Sequence, residues 1–447
     1  MIILGAGRRG LGLAKQLVAD GKDVVIIDSS HERIEKAVSK LDCLGVLGNG
    51  TNIGTLLEAG VDQAEAFVAV TDSDEINLVS SGLVSSSYPQ TKTVAAIRSL
   101  VYTGLDGLKE GLLGIDHIVN PNTETAKAIY NIIEQGVNGN VLGFNNSSLL
   151  LYNFHVESFS SYVGSSIREM RSKLGADFII ASINRRGLVV VPSGNTTIQA
   201  NDILSIVAES EEVTDILKTV GKLQKRPNNM VLVGGSNVTR ALLNRMSPSM
   251  RSRVTVVDQN PDVCETFSER FREILVIKAD ITDEDIMAEE QLGSYDLLVA
   301  LTDNDELNII TASYAKRIGV SRSMALIKQN NNYTRMASYL EIDVVFSTTD
   351  TTVESLLRYL RGTNVSSIHT LFNGQLEIFE FIINAASEVC NKQLKDINMR
   401  KKAIIAGITH ADGTSSIPTG PTTLVEGDTV LVAVLRNSSE LIQKLFG

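Results

Sequence analysis

Three glycines, Gly5, Gly7 and Gly10, stand in the run ILGAGRRGLG with the spacing G-x-G-x-x-G. A loop of this kind between a strand and a helix can cradle a phosphate. The first glycine permits a tight turn, the second lets backbone N–H groups approach a pyrophosphate, and the third lets the helix pack close to the strand. The helix N-terminus adds its partial positive charge. Asp28 ends the run VVIID at about the distance from the loop where a carboxylate takes two ribose hydroxyls. It would repel a 2′-phosphate, which disfavours NADP. Adenine, ribose and phosphates are supported, but a nicotinamide is not, because ATP or ADP would use the same contacts.

Arg8 and Arg9 fill the last variable slots of the loop. Positive charge in a first helical turn opposes the helix dipole, a cost that suggests a compensating anion. Arg8 directly follows Gly7 and could reach terminal phosphates as a charged fork. The role of Arg9, in a slot often apolar in such folds, is left open.

The elements that must position this chemistry occur twice. Gly5 corresponds to Gly234, Asp28 to Asp258, Thr71 in VTDSDEINL to Thr302 in LTDNDELNI, and Arg98 in AAIR to Lys328 in ALIK. Toward the ends, Pro192 answers Pro418 and Asp202 answers Asp428, all at nearly constant spacing. A duplication runs through the whole chain. Within the first half, short β-rich runs (MIIL, DVVIID, AFVAV, TVAAI, HIVN) alternate with helical stretches such as Leu11 to Val18, a pattern that predicts a parallel sheet with helices on both faces. A helical connector over Asn122 to Gln135 follows, then strand-dominated sequence in which FIIASINRRGLVVV reads as two strands around a turn ending at Gly187.

The expected fold is α/β, with two tandem Rossmann-like, doubly wound parallel-sheet domains, each followed by a small α+β lobe. The expected segments are a first nucleotide-binding domain at 1–120, a connecting helix at 121–140 and a first lobe at 141–222. A second Rossmann-like domain follows at 228–346, then a connecting helix at 347–364 and a second lobe at 365–447. The polar stretch KTVGKLQKRPNN, 218–229, reads as the linker between the halves. In the second half Ser236 and Thr239 stand where the second and third glycines should be. A β-carbon there is expected to hinder backbone approach and close packing. Asp258 persists, so that site reads as weaker, altered or empty.

At 447 residues, 43% hydrophobic and 21% charged, the chain has the balance of a folded protein of several cores. No run reaches the roughly eighteen unbroken apolar residues of a membrane span. The start MIILGAG already reads as a strand, so no export signal is expected. Cys43, Cys264 and Cys390 are scattered and odd in number, as suits a reducing cytoplasm. A net charge of −11 argues against general nucleic-acid binding. It suits an acidic soluble partner of a membrane protein, whose cytoplasmic loops carry excess Lys and Arg.

The carboxylates of VTDSDEINL invite a divalent cation. Helix capping by Asp72 or Ser73, with Asp74 and Glu75 in the first turn, accounts for them better, and no metal site is assigned. The five histidines (31, 117, 155, 369 and 410) lack ligand spacing. The small lobes show no Ser-His-Asp, Cys-His or Lys-based set, so they read as binding lobes, and no catalytic residue is assigned.

GAGRRG, Asp28, LGNGTN, VTDSDEIN and AAIR, followed by a lobe ending in NDILSIVA, together resemble the regulator-of-potassium-conductance domains of bacteria. The tandem form resembles the peripheral regulatory subunits of Trk potassium-uptake systems over essentially the whole chain. The resemblance implies that the first lobe binds NAD(H) or adenine nucleotides (ATP/ADP). It implies that the second lobe senses ligands or assembles subunits, and that the chains form a ring, with a tetramer suspected. That ring would lie on the inner face of the cell membrane beneath a membrane-embedded potassium-translocating subunit. It also implies that Gly5, Gly7 and Gly10 hold phosphate, that Asp28 accepts ribose, and that Asn49 and Thr51 lie beside adenine. Thr71 and Asp72 would stand at the next strand end, Arg98 would be the basic residue after the fifth strand, and Arg8 would sense a terminal phosphate. Asp258 would serve a second, weaker site. Two other readings stay open: an NAD-dependent oxidoreductase, and a nucleotide-binding scaffold with no membrane partner.

Overall fold

The computed structural model describes residues 1–99, 112–135, 141–144, 147–209, 211–213, 216, 227–283, 286, 289–329, 333, 336, 340–360, 365–372, 375–399 and 402–446. Residues 218–226 of the expected linker lie outside the described residues, as do the ends 136–140 and 361–364 of the expected connecting helices.

The first half opens with β1 (Ile2–Leu4), α1 (Arg8–Ala19), β2 (Val25–Asp28), α2 (His31–Val38), β3 (Leu44–Leu47), α3 (Ile53–Glu58), β4 (Ala66–Ala69), α4 (Asp74–Ser87), β5 (Lys92–Ala96) and β6 (His117–Val119). Their six strands pair in the order β3-β2-β1-β4-β5-β6, all parallel. This is the doubly wound order, in which the chain reverses direction between β1 and β4 and leaves a crevice at their carboxyl ends. Edge strand β3 was not among the expected runs. Only Val46 of its four residues is buried, so its sequence carries little apolar pattern. Helix α5 (Pro121–Gln135) then leads to a small lobe of β7 (Val141–Gly143), β8 (Leu149–His155), α6 (Ile167–Leu174), β9 (Phe178–Arg185), β10 (Leu188–Val190) and β11 (Ile203–Glu209). The turn joining β9 and β10 holds Arg186 and Gly187 at φ 53° and 85°, the conformation a tight hairpin demands.

The second half repeats the plan. Its Rossmann part runs through β12 (Met230–Val233), α7 (Asn237–Arg245), α8 (Pro248–Arg251), β13 (Val254–Asp258), α9 (Pro261–Arg270), β14 (Leu275–Lys278), β15 (Leu297–Ala300), α10 (Asp305–Arg317), β16 (Arg322–Ile327) and β17 (Val344–Ser347). Helix α11 (Thr348–Leu360) follows, and then a lobe of β18 (Val365–Leu371), β19 (Leu376–Ile382), β20 (Ala403–Thr409), β21 (Ser415–Ser416), β22 (Thr429–Leu435) and α12 (Ser439–Phe446). The sheet orders are β14-β13-β12-β15-β16-β17, parallel, and β18-β19-β22-β20-β21, antiparallel.

Chain order does not give the grouping. Residues 1–134 and 226–360 form one compact unit, and 135–225 with 361–447 form another. In the first unit the two helices expected as connectors change places. Val353, Leu356, Leu357 and Leu360 of α11 complete the core built on β1, β2, β4 and α1. Ala126, Ile129, Ile132 and Ile133 of α5 complete the core of the second sheet. Gly12 makes this approach possible, since a methyl there would stand 3.3 Å from Val353 Cγ2. In the second unit each lobe sheet covers its own apolar cluster on one face. Its other face buries Leu149, Leu151, Ala181 and Val207 with Leu376, Ile378, Leu431 and Ala433 in a shared core.

Candidate functional site

The glycine loop sits at the mouth of the β1–β4 crevice. Gly5 has φ 107°, and a methyl on it would press on the Thr71 backbone nitrogen at 3.0 Å. A methyl on Gly10 would stand 1.8 Å from the Gly5 carbonyl oxygen. Both glycines are therefore required by the protein's own packing. Gly7 differs, because a methyl there meets nothing within 4 Å. It is the N-terminal boundary residue of α1, contributes no capping side chain, and is followed by two arginines and no acid. Among the described residues no side chain accepts from the first-turn N–H groups of α1, an arrangement suited to an anion. The residues fit a phosphate.

Asp28, buried at the end of β2, accepts a hydrogen bond from Ala6 N (2.7 Å) through Oδ2 and one from Ser30 N (2.9 Å) through Oδ1. Arg33 lies 3.7 Å from Oδ2. The carboxylate therefore ties the glycine loop to the loop after β2, and each oxygen keeps a second lone pair. Asn49 Oδ1 accepts from Thr51 N (3.0 Å) and Thr51 Oγ1 (2.9 Å), shaping the loop after β3.

Across the crevice, Thr71 N and Oγ1 donate to Asn77 Oδ1 (3.0 and 2.7 Å), while Asn77 Nδ2 donates to Ala96 O (2.8 Å). This clamp joins the ends of β4 and β5 through α4. Ser73 caps α4, accepting from Ile76 N at 3.2 Å, and Asp74 receives Arg98 N (3.0 Å) and Ser99 N (2.7 Å). The Arg98 guanidinium donates to the Asp72 carbonyl and pairs with Asp74 Oδ1 at 3.4 Å through Nε. The first-turn acids are engaged in capping and in holding strand ends.

The duplicate loop has the same frame and a different interior. Gly234 has φ 99°, and Asp258 accepts from Gly235 N (2.7 Å) and Asn260 N (2.8 Å), as Asp28 does in its own half. The hindrance expected of Thr239 is not seen. Thr239 is fully buried and its hydroxyl donates to Gly234 O at 2.5 Å, so the close packing of loop and helix is kept by a hydrogen bond. Ser236 caps α7, accepting from Thr239 N at 3.4 Å. In this loop a side chain takes one first-turn N–H, where the first loop has none. The clamp recurs as Thr302, Asn308 and Leu326 O, and Asp305 receives Lys328 N (2.7 Å) and Gln329 N (2.8 Å). Where the first half has Asn49, the second has Asp280, bonded in the same way to Thr282.

The two arginines of the first loop diverge. Arg8 is exposed. Arg9 is half-buried, and burial, followed by the neighbouring Arg98 guanidinium, holds it below the usual arginine range. The sequence alone gives Arg9 no role. The available signal was its counterpart in the duplicate, Val238, which is fully buried.

Residues 1–121 and 230–348 match the TrkA-N domain, and residues 151–221 and 378–447 match the TrkA-C domain. The chain belongs to the TrkA family. Among curated TrkA relatives, the Trk system potassium uptake protein TrkA of Vibrio alginolyticus is 28% identical over 443 residues, spanning 98% of this chain and 96% of that one. The same-named protein of Halomonas elongata is 27% identical over 413 residues, 91% and 90% of the two chains. Among solved structures, the GsuK channel bound to NAD superposes with a TM-score of 0.59 at 16% identity, over 100% of this chain and 78% of that one. The TrkA-N matches stop at 121 and 348, where the exchanged helices begin. Both glycine loops, both loop-anchoring aspartates and both Thr–Asn clamps therefore lie inside TrkA-N segments. Among the described residues no helix is long and apolar enough to cross a membrane.

Proposed function

We propose that this chain is a nucleotide-sensing regulatory subunit of a potassium-uptake system, controlling a membrane-embedded, Trk-type potassium-translocating subunit. The observation that carries the reading is the contrast between its two loops. The first has an open Gly7, an uncapped helix terminus and a buried aspartate with lone pairs to spare. Its duplicate closes on itself through Ser236 and Thr239. The names of the TrkA relatives support potassium uptake as the setting.

In this reading the ligand is NAD(H) or ATP/ADP. Gly5, Gly7 and Gly10 take its phosphates, Asp28 its ribose hydroxyls, and Asn49 and Thr51 border its adenine. Thr71, Asp72, Arg98 and Arg8 stand around its phosphate tail. Asp258 holds its own loop in place, and the second site is the weaker one. A ligand shifts a conformational equilibrium only through unequal contacts in the two states. Nucleotides differing at the phosphate tail can therefore favour different arrangements of a ring of several such chains. That ring would lie peripherally on the cytoplasmic face of the membrane, with a tetramer as its expected state.

Potassium flux through the reconstituted membrane subunit, measured with this chain and each nucleotide in turn, tests the reading. Flux that depends on both chain and nucleotide is expected. Flux indifferent to the chain overturns it, as does normal potassium uptake in a deletion strain lacking every other importer.

A further inference from the structure

The loop of the first half and its duplicate differ most at one helical position. Arg9 and Val238 are both the second residue of the helix that follows the glycine loop. Val238 is fully buried, so a side chain at this position lies against the interior. The longer Arg9 side chain at the equivalent position is only partly covered. It is half-buried and has no hydrogen bond or ion pair among the described residues.

The charges around it differ between the two halves. Burial and the Arg98 guanidinium depress the Arg9 pKa, with Asp72 and Asp74 only partly opposing them. Arg98 follows β5 and Asp72 follows β4, so both lie at the same carboxyl edge of the parallel sheet as the start of α1. Arg98 spends Nε on Asp74 and Nη2 on the Asp72 carbonyl, and among the described residues nothing engages Nη1. In the duplicate, an apolar residue replaces Arg9, and the counterpart of Arg98, Lys328, is neutralised by Asp303 at 2.7 Å. Two partly desolvated guanidiniums facing one crevice repel each other unless an anion lies between them.

We propose that Arg9, with Arg98, receives the end of the ligand's phosphate chain, making Arg9 the residue by which the site ranks adenine nucleotides by phosphate charge. The inference rests on the nucleotide reading above. It gives Arg9 a part distinct from that of exposed Arg8. A planar fork with several N–H donors suits the terminal phosphate of ADP or ATP; AMP has no phosphate beyond the α position, and the bridging pyrophosphate of NADH ends in no free phosphate.

Calorimetric titration of the full chain with ATP, ADP, AMP and NADH tests it, using the wild type, Arg9→Val and Arg9→Met. Arg9→Val installs the residue of the duplicate, and Arg9→Met keeps the length of the stem without its charge. In the wild type, affinity is expected to rise from AMP to ATP. In both variants ATP affinity should fall by about tenfold or more, the size of one charge-assisted contact, while AMP affinity changes less than about threefold. An unchanged ATP-to-AMP ratio in the variants overturns the inference alone. An equal loss for all four ligands also overturns it, by assigning Arg9 to the fold. Failure of the wild type to bind any of the four overturns the nucleotide reading, and the inference with it.

Discussion

Thr125 and Thr351 stand 226 residues apart in sequence, yet their hydroxyl oxygens lie 2.9 Å apart, one on each exchanged helix. The contact lies within the unit in which each Rossmann sheet is roofed by a helix from the other half. Tyr359 of α11 also stacks on His117 of β6, with ring centroids 4.4 Å apart and planes 6° apart.

Truncating α11 should therefore destabilise the first half, although α11 follows the second in sequence. Leu356 is fully buried in the core of the first sheet, and Leu356→Ala is expected to cost about 2–5 kcal/mol. Urea unfolding, followed by hydrogen exchange at β1 and β2, checks both the size and the place. Protection lost only in β12 to β16 would show the helix to belong to its own half.

Asp28 and Asp258 make matching bonds to backbone amides in their two loops. Replacing either with alanine strands those amides, and each variant should lose about 1–3 kcal/mol of stability. Only Asp28→Ala should also weaken NADH and ATP binding. Calorimetry and thermal unfolding on the two variants separate the effects, and equal loss of binding in both would make the second loop a working site.

The self-capped second loop leads to an expected stoichiometry of one tightly bound adenine nucleotide per chain. Equilibrium dialysis with labelled ATP reads this number directly. Two sites of similar affinity would contradict the contrast between the loops.

Burial lowers the pKa of His117, with Glu124 partly opposing the shift. A base whose pKa is lower folded than unfolded binds fewer protons in the native state. Its contribution to stability is thus full above its ordinary value of 6.5 and is lost as pH falls through the lowered folded value. His117→Phe keeps a ring against Tyr359 and removes the titration. Melting temperature should drop below pH 6.5 in the wild type by more than in this variant, and parallel profiles would dismiss the histidine as the cause.

The sequence carried the duplication, the alternation that builds both parallel sheets, a helix cap at Asp72 or Ser73 and the turn at Gly187, because each depends on residues near one another in the chain. The helix exchange was hidden. The apolar stripe of α5 announces a buried face but does not say which sheet covers it, since either sheet offers the same surface. Strand β3 escaped because it lies at an edge with one buried residue. At the candidate site, the glycines and Asp28 were legible from spacing. The way Asp28 ties two loops together was not, because its partners are backbone amides that any residue supplies. Arg9 became informative only when its burial could be set beside that of Val238.

The exchange of helices also bears on the order of synthesis. The first Rossmann sheet is translated by residue 119, but the helix that roofs it begins at Thr348. At about 5–20 residues per second, the ribosome needs on the order of tens of seconds to cover that gap. Throughout this time the α1 face that awaits Val353 and Leu356 lacks its own helix, while α5, the matching helix of the first half, is already finished and belongs on the other sheet. The nascent chain must therefore either wait or trade one roof for another. A message truncated before Thr348 would yield a glycine-loop domain that folds with the wrong helix or stays exposed to chaperones.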